Sequence, residues 1–124
     1  MAVDKLRVIV WLFAAILVSG LSMIFAGKAL HVPFALIHKL LAVLCLVVLL
    51  RNAGALRALE APPALPAALV VFAVAYLAAF ITGIVQSIPA CESSLWLNLH
   101  RVAAATSAIA CAVAARLIAM AVRA

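Results

Sequence analysis

Two histidines at matching places in the two halves of the sequence are the side chains best suited to chemistry. In each half, a small hydroxyl residue and a glycine precede a histidine and a basic residue. The sets are Ser19, Gly20, His38 and Lys39 in the first half, and Thr82, Gly83, His100 and Arg101 in the second. The histidine follows the glycine by eighteen residues in the first half and by seventeen in the second. Neutral imidazole is a good iron ligand, so two histidines facing each other at matched depth would suit a flat metal cofactor such as haem.

The composition predicts that these residues lie in a lipid bilayer. The chain has 124 residues, of which 72% are hydrophobic and only 10% are charged, whereas a soluble domain carries about 25% charged residues. We therefore expect one integral membrane domain over residues 1–124. The net charge of +6 indicates orientation and contact with anionic lipid rather than nucleic acid, because no basic run is interleaved with aromatic residues.

Four apolar stretches have the length of membrane spans, since a helix needs about 20 apolar residues to cross the hydrocarbon core. They cover residues 8–26, 33–50, 64–87 and 95–122, approximately. Lipid offers no partners to the backbone, so the spans must be helices. Short connectors then predict an all-α, up-down-up-down four-helix bundle, built from two pseudo-repeated helical hairpins.

Glycine, proline and serine residues mark the expected helix ends. We predict a tight turn from Gly27 to Val32, with Pro33 in the first turn of the second helix, where its missing N–H costs nothing. The longest loop is predicted from Arg51 to Pro63, and Ser94 is the predicted N-cap of the last helix.

The positive charges predict the orientation in the membrane. One side holds five basic residues, whereas the opposite connectors hold one base and one acid. The five are Lys5, Arg7, Arg51, Arg57 and Arg123, and the opposite pair is Lys28 and Glu92. Because cytoplasmic segments carry the excess of Lys and Arg, both termini are expected in the cytoplasm, with the chain in a bacterial inner (plasma) membrane.

The two histidines are predicted to lie at equal depth. Each is five residues into its helix, counted from Pro33 for His38 and from Leu95 for His100. At 1.5 Å per residue both lie about 7–8 Å below the outer end of helices that run in the same direction. Equal depth on diagonal helices is the geometry that bis-imidazole ligation requires, so both histidines are predicted iron ligands.

Small residues next to the histidines fit the same interpretation. Gly20 and Gly83 are expected to make room for two edges of a porphyrin, although glycine also allows close helix contact without any cofactor. The hydroxyls of Ser19 and Thr82 either donate hydrogen bonds to haem propionates or bond back to a carbonyl of their own helix.

Three basic side chains are candidates for contact with the same cofactor. Lys39 and Arg101 each lie about 100° around the helix from the preceding histidine. A charge at this depth needs a partner or must reach the interface, so it pairs with a propionate or extends to lipid phosphates. His31 shares a helical face with His38 if the second helix extends that far. It is expected to be an interfacial residue, or to contact a propionate or a quinone head group.

At Gly20, His38, Gly83 and His100 the chain resembles the bacterial four-helix membrane cytochromes of b type. The resemblance implies haem held between transmembrane helices by paired histidines, and electron exchange with quinones. Many of those proteins carry two haems on four histidines, whereas this chain has three histidines. We therefore expect one bis-histidine haem b near the outer face. Quinone or a periplasmic redox protein would be its electron-exchange partner, and the chain would act alone, as an oligomer or as a subunit of a quinone-linked oxidoreductase complex.

Other interpretations of the histidine pair stay open. The two residues would serve equally as interhelical hydrogen-bonding groups, or as ligands of another metal or a chlorophyll-like pigment. The competing function is a cofactor-free scaffold or assembly subunit of a larger complex. A small multidrug transporter is disfavoured, because Asp4, Glu60 and Glu92 fall at ends or in loops and leave no carboxylate in mid-membrane.

Overall fold

The computed structural model describes residues 2–25, 28–57 and 62–123, which are almost entirely helical. The four helices are α1 (Ala2–Phe25), α2 (Lys28–Arg57), α3 (Ala64–Gln86) and α4 (Ser94–Arg123), with a short 3-10 helix at Pro89–Cys91. No strand occurs within these described ranges. The predicted all-α class with four helices is therefore confirmed, and it is consistent with a four-helix bundle.

All four helices are long and apolar enough to span a membrane. The apolar stretches that meet this criterion are Arg7–Phe25, His31–Asn52, Ala64–Gln86 and Ser94–Met120. They lie close to the four spans that the sequence predicts. A helix satisfies its own backbone hydrogen bonds, which is the condition for crossing hydrocarbon, so the architecture supports a membrane location.

The second helix begins earlier than predicted. Residues 28–32 are helical, so the predicted turn from Gly27 to Val32 is wrong over those five residues, and Gly27 itself lies outside the described residues. Pro33 is consequently inside α2 rather than in its first turn. Its missing N–H removes one intrahelical hydrogen bond near the start of the helix, and the helix continues for 24 residues beyond it.

The second helix also ends later than predicted. Its last described turns run to Arg57, so the predicted loop from Arg51 to Pro63 is wrong for residues 51–57, while residues 58–61 lie outside the described part. Asn52 does not break the helix, because its side-chain amide donates to the carbonyl of Val48 at 2.8 Å. Gly54 is a single helical glycine, which costs only about 1 kcal/mol relative to alanine.

The N-cap of α4 is one residue earlier than predicted. The Ser93 hydroxyl oxygen accepts from the Trp96 N–H at 3.4 Å, and the Ser93 carbonyl accepts from the Leu97 N–H at 3.2 Å. These are the two hydrogen bonds that define an N-cap residue. Ser94 is therefore the first residue of the helix rather than its cap.

The chain divides into two compact units at residue 60, and each unit is a helical hairpin. In the first, α1 packs on α2; in the second, α3 packs on α4. The buried residues of the first hairpin lie on one face of α1 and at one point of α2: Ile9, Phe13, Ile16, Ser19 and Cys45. Those of the second are Leu65, Phe72, Ala75, Tyr76 and Ala79 on α3, and Ser107, Ala110, Cys111, Ala114 and Ile118 on α4.

The burial pattern repeats between the hairpins. Cys45 lies seven residues after His38, and Ser107 lies seven residues after His100. Both small side chains have no exposed surface. Two helical turns beyond each histidine, the second helix of the hairpin therefore carries a small, fully buried residue. The repeat seen in the sequence thus extends into the packing.

Enlarging this packing point should destabilise the first hairpin. Replacing the buried Cys45 by phenylalanine overpacks the α1–α2 contact and is expected to cost about 1–3 kcal/mol of unfolding free energy. Val47→Phe is the matched control, because Val47 is 45% exposed and its enlargement displaces nothing in the hairpin. Thermal unfolding of the purified protein in detergent measures both, and equal melting temperatures would contradict the packing described here.

Candidate histidine site

His38 is bound to α1 through its Nδ1 atom. This nitrogen lies 3.0 Å from the carbonyl oxygen of Ile16 and 3.1 Å from the hydroxyl oxygen of Ser19. The Ser19 hydroxyl itself donates to the Ile16 carbonyl at 2.9 Å. Because a carbonyl oxygen can only accept, Nδ1 carries the proton and donates it to α1.

His100 makes the same contacts with α3. Its Nδ1 donates to the carbonyl of Ala79 at 2.8 Å and lies 3.4 Å from the Thr82 hydroxyl oxygen. The Thr82 hydroxyl lies 2.7 Å from the Ala78 carbonyl and 3.1 Å from the Ala79 carbonyl, so it bonds within its own helix. In both hairpins the accepting carbonyl is three residues before the hydroxyl residue.

The two glycines allow the rings to approach the backbone. A Cβ atom at Gly20 would stand 3.1 Å from Cε1 of His38, and one at Gly83 would stand 3.1 Å from Cε1 of His100. These distances are shorter than ordinary van der Waals contact. The ring must come this close in order to donate to the neighbouring carbonyl. The sequence did not reveal this role for the glycines, and their making room for a porphyrin edge stays a prediction.

The hydrogen bonds select one form of each imidazole. With Nδ1 protonated, the lone pair of the neutral ring is on Nε2. Metal-bound histidines usually donate their other ring N–H to a carbonyl or carboxylate, which fixes the tautomer and raises the basicity of the ligating nitrogen. Both His38 and His100 are therefore held in the tautomer that ligates a metal through Nε2.

The histidines lie at similar places along their apolar stretches, and their equal depth in a membrane stays a prediction. His38 is seven residues after His31, where its stretch begins, and His100 is six residues after Ser94. These offsets correspond to about 10 Å and 9 Å along the helix axes. Counted from the helix starts they differ more, because α2 begins at Lys28.

The three basic candidates lie outside the histidine–glycine contacts. His31 is on α2, as its shared face with His38 requires, but its side chain is exposed whereas that of His38 is half-buried. Lys39 and Arg101 are both exposed beside their half-buried histidines. Their predicted contacts with propionates, with a quinone or with lipid phosphates stay predictions.

The available ligands limit the kind of metal site. Across the described ranges, no group of three or more His, Cys, Asp or Glu side chains could hold a metal ion. A structural or catalytic zinc site needs at least three such protein ligands. Haem iron receives four nitrogens from its porphyrin and needs only one or two from the protein, so a haem site would not require such a cluster.

One polar atom distinguishes the second hairpin from the first. Gln86 ends α3 one turn after Gly83, and its Oε1 atom is buried without a hydrogen-bond partner among the described residues. The corresponding position in the first hairpin is Met23. An unsatisfied buried acceptor costs about 1–3 kcal/mol. The two hairpins therefore differ at this position, which is polar in the second and apolar in the first.

Sequence reasoning missed two functional groups, the carbonyls of Ile16 and Ala79. Backbone acceptors leave no trace in residue type, and the two residues differ in size. The available signal was the fixed spacing: each is three residues before the hydroxyl and four before the glycine. Because the glycine one turn later has no side chain, the carbonyl of Ile16 or Ala79 is accessible to the histidine ring.

The chain is thus an all-α protein with four helices able to span a membrane and one hydrogen-bonded histidine in each hairpin. No known protein family, curated protein or solved structure matches it.

Adding a methyl group at either glycine should disturb the adjacent histidine. In Gly20→Ala and Gly83→Ala the new Cβ forces the ring to shift by a few tenths of an ångström, and we expect a loss of about 1–3 kcal/mol. Gly54→Ala is the control, because a Cβ there meets nothing within 4 Å and should stabilise α2 by about 0.5–1 kcal/mol. Thermal unfolding in detergent compares the three, and a stabilised Gly20→Ala protein would contradict the contact.

Proposed function

We propose that the chain is a membrane b-type cytochrome that holds one haem b through Nε2 of His38 and Nε2 of His100. The observation that supports this most directly is the matched hydrogen bonding of the two imidazoles. A metal ligand must keep the lone pair of its ligating nitrogen, and an imidazole that donates through Nδ1 keeps it on Nε2. Both histidines donate through Nδ1, and both do so to a backbone carbonyl in an apolar helix.

The remaining residues of the site have defined tasks under this proposal. Lys39 and Arg101 neutralise the propionate carboxylates, since each is adjacent in sequence to a ligand and is exposed. The glycines keep the rings close to their carbonyl acceptors. When bound, haem supplies a one-electron couple between ferrous and ferric iron. Because His38 and His100 would both hold the iron, the site would favour electron transfer over oxygen binding.

A single haem near one face restricts the electron partners. Two ligands support one haem, and both lie in the outer part of their spans under the proposed orientation. One haem there does not carry electrons across the whole bilayer. The partner is therefore a quinone or a redox protein on the outer side, reached directly or within a larger oxidoreductase complex.

A cofactor-free scaffold subunit is the second candidate, and the exposed surface favours it. Only 11% of the apolar stretch of α2 is buried, and its large side chains Leu36, Leu40 and Val47 are exposed. Such a surface must face lipid or other helices. As a scaffold, the chain would use these faces to pack against partner subunits, and each histidine would only join the helices of its own hairpin.

A visible spectrum of the purified protein, supplied with haem during expression, distinguishes these functions. We expect sharp reduced-minus-oxidised haem bands and about one haem per chain by the pyridine haemochrome assay. His38→Ala and His100→Ala should each lose most of the haem or convert it to a five-coordinate form, because one axial bond is missing. His31→Ala, which alters an exposed histidine, should keep full occupancy. A colourless wild-type protein, or full occupancy with unchanged spectra in both alanine variants, would refute the ligand assignment.

The proposed location is a bacterial inner membrane with both termini in the cytoplasm. The supporting observation is the excess of basic residues at the termini and around the end of α2, where the positive-inside rule places the cytoplasm. The 3-10 helix Pro89–Cys91 would then face the outside.

The native cysteines test this orientation. Cys91 is partly exposed, whereas Cys45 and Cys111 are buried, so a membrane-impermeant maleimide should label Cys91 on intact spheroplasts. In the double variant Cys91→Ser with Gly54→Cys, the new thiol lies near the cytoplasmic end of α2. It should react only after the membrane is permeabilised, and the reverse labelling pattern would place the termini outside.

A further inference from the structure

We propose that Ser19 and Thr82 are positioning residues, whose hydroxyls act with the Ile16 and Ala79 carbonyls to lock each histidine in its ligating tautomer. The lock is a property of each hairpin and exists without a cofactor. Its consequence for iron rests on the proposed function.

The direction of the hydroxyl hydrogen bonds carries the argument. A hydroxyl has one hydrogen and two lone pairs. Because Nδ1 of His38 donates to the Ile16 carbonyl, the Ser19 oxygen accepts towards His38, and the Ser19 hydrogen is directed to the Ile16 carbonyl at 2.9 Å. The Nδ1–H of His38 therefore faces two acceptors at 3.0 Å and 3.1 Å, both on α1.

The second hairpin has the same two acceptors, but their distances from the histidine Nδ1 differ more than in the first hairpin. The Thr82 hydrogen is directed to the carbonyls of its own helix, at 2.7 Å and 3.1 Å, so its oxygen also accepts towards His100. However, the hydroxyl is 3.4 Å from His100 Nδ1 and the carbonyl is 2.8 Å away. His100 thus depends mainly on the carbonyl, whereas His38 uses carbonyl and hydroxyl about equally.

These contacts disfavour the alternative tautomer. If Nε2 carried the proton, the Nδ1 lone pair of His38 would face the Ile16 carbonyl oxygen, and the Ser19 hydroxyl would have to leave that carbonyl in order to donate to Nδ1. The carbonyl would then lose both of these donors and oppose a lone pair in an apolar helix pair. Removing the hydroxyl leaves one acceptor, so the ring gains freedom to turn from the carbonyl and to change tautomer.

The burial of the two hydroxyl residues also indicates that the hydroxyl matters more to His38 than to His100. Ser19 is one of two buried polar residues among the described side chains, at 6% exposure, whereas Thr82 is half-buried. We therefore infer that Ser19 is the more important positioning residue. Its loss should affect His38 more than the loss of the Thr82 hydroxyl affects His100.

Nitrogen NMR of the histidine side chains in cofactor-free protein tests the lock directly. Wild-type His38 and His100 should each show a single tautomer with protonated Nδ1. Ser19→Ala should give a mixture at His38, and Thr82→Val a smaller admixture at His100. The conservative variants Ser19→Thr and Thr82→Ser should restore the single tautomer, since they keep the hydroxyl.

Two matched controls remove a hydroxyl that bonds to its own helix. Ser22 donates to the Val18 carbonyl at 2.8 Å, and Thr106 donates to the Val102 carbonyl at 2.9 Å. Ser22→Ala and Thr106→Val should therefore leave both histidine tautomers unchanged. Thermal unfolding of every variant verifies that the hairpins remain folded.

Haem titration of the same proteins tests the consequence for iron. Loss of a group that orients a metal ligand typically lowers affinity 10–100-fold, so Ser19→Ala should bind haem at least about tenfold more weakly and Ser22→Ala should bind normally. A single Nδ1–H tautomer retained in both Ser19→Ala and Thr82→Val would overturn the positioning role. A tautomer lock in a wild-type protein that binds no haem would instead overturn the proposed function and leave the lock established.

Discussion

The hydrogen bond from each histidine Nδ1 to a backbone carbonyl across its hairpin is the constraint on which the rest of the site depends. An imidazole N–H in hydrocarbon needs an acceptor, and helical carbonyls are already used within their own helix. A second lone pair of Ile16 or Ala79 can serve only if the ring reaches the backbone. That requirement explains glycine at the next turn, where a Cβ would meet Cε1 at 3.1 Å in both hairpins.

The repeated arrangement tolerates a difference in connector length. The α1 and α3 positions of the site are sixty-three residues apart, whereas the two histidines are sixty-two apart. Nevertheless, both rings make the same contact with their glycine and the same bond to a carbonyl. The connector and helix start absorb the difference: α2 begins ten residues before His38, and α4 begins six residues before His100. The local geometry of the pair is therefore preserved while the turn varies.

The sequence predicted the helices well because apolar length and the cost of an unpaired backbone in lipid allow few alternatives. It also drew attention to the glycines that precede the histidines by eighteen and seventeen residues, and the structure places Gly20 beside His38 and Gly83 beside His100. It failed at the ends of α2, where Pro33 was expected in the first turn and residues 51–57 in a loop. Side-chain hydrogen bonds such as that from Asn52 to the Val48 carbonyl influence such boundaries and cannot be seen in residue type.

The reason for the glycines was also beyond the sequence. Residue type showed that space was needed near each histidine, but not which atoms would fill it. The structure shows that each histidine ring lies in this space and bonds to a backbone carbonyl. Every residue has a carbonyl, so the sequence cannot indicate which one is used. In an apolar helix, a glycine can thus allow a polar side chain of the neighbouring helix to bond to a backbone carbonyl.

The self-contained hydrogen bonding of each hairpin has a consequence for biogenesis. Since the ring proton is taken up by the preceding helix of the same pair, α1 with α2, or α3 with α4, can leave the translocon with its imidazole N–H already satisfied. Insertion of one pair then does not have to await the other. The polar cost of placing a histidine N–H in hydrocarbon is met during synthesis by the helix that was made just before it.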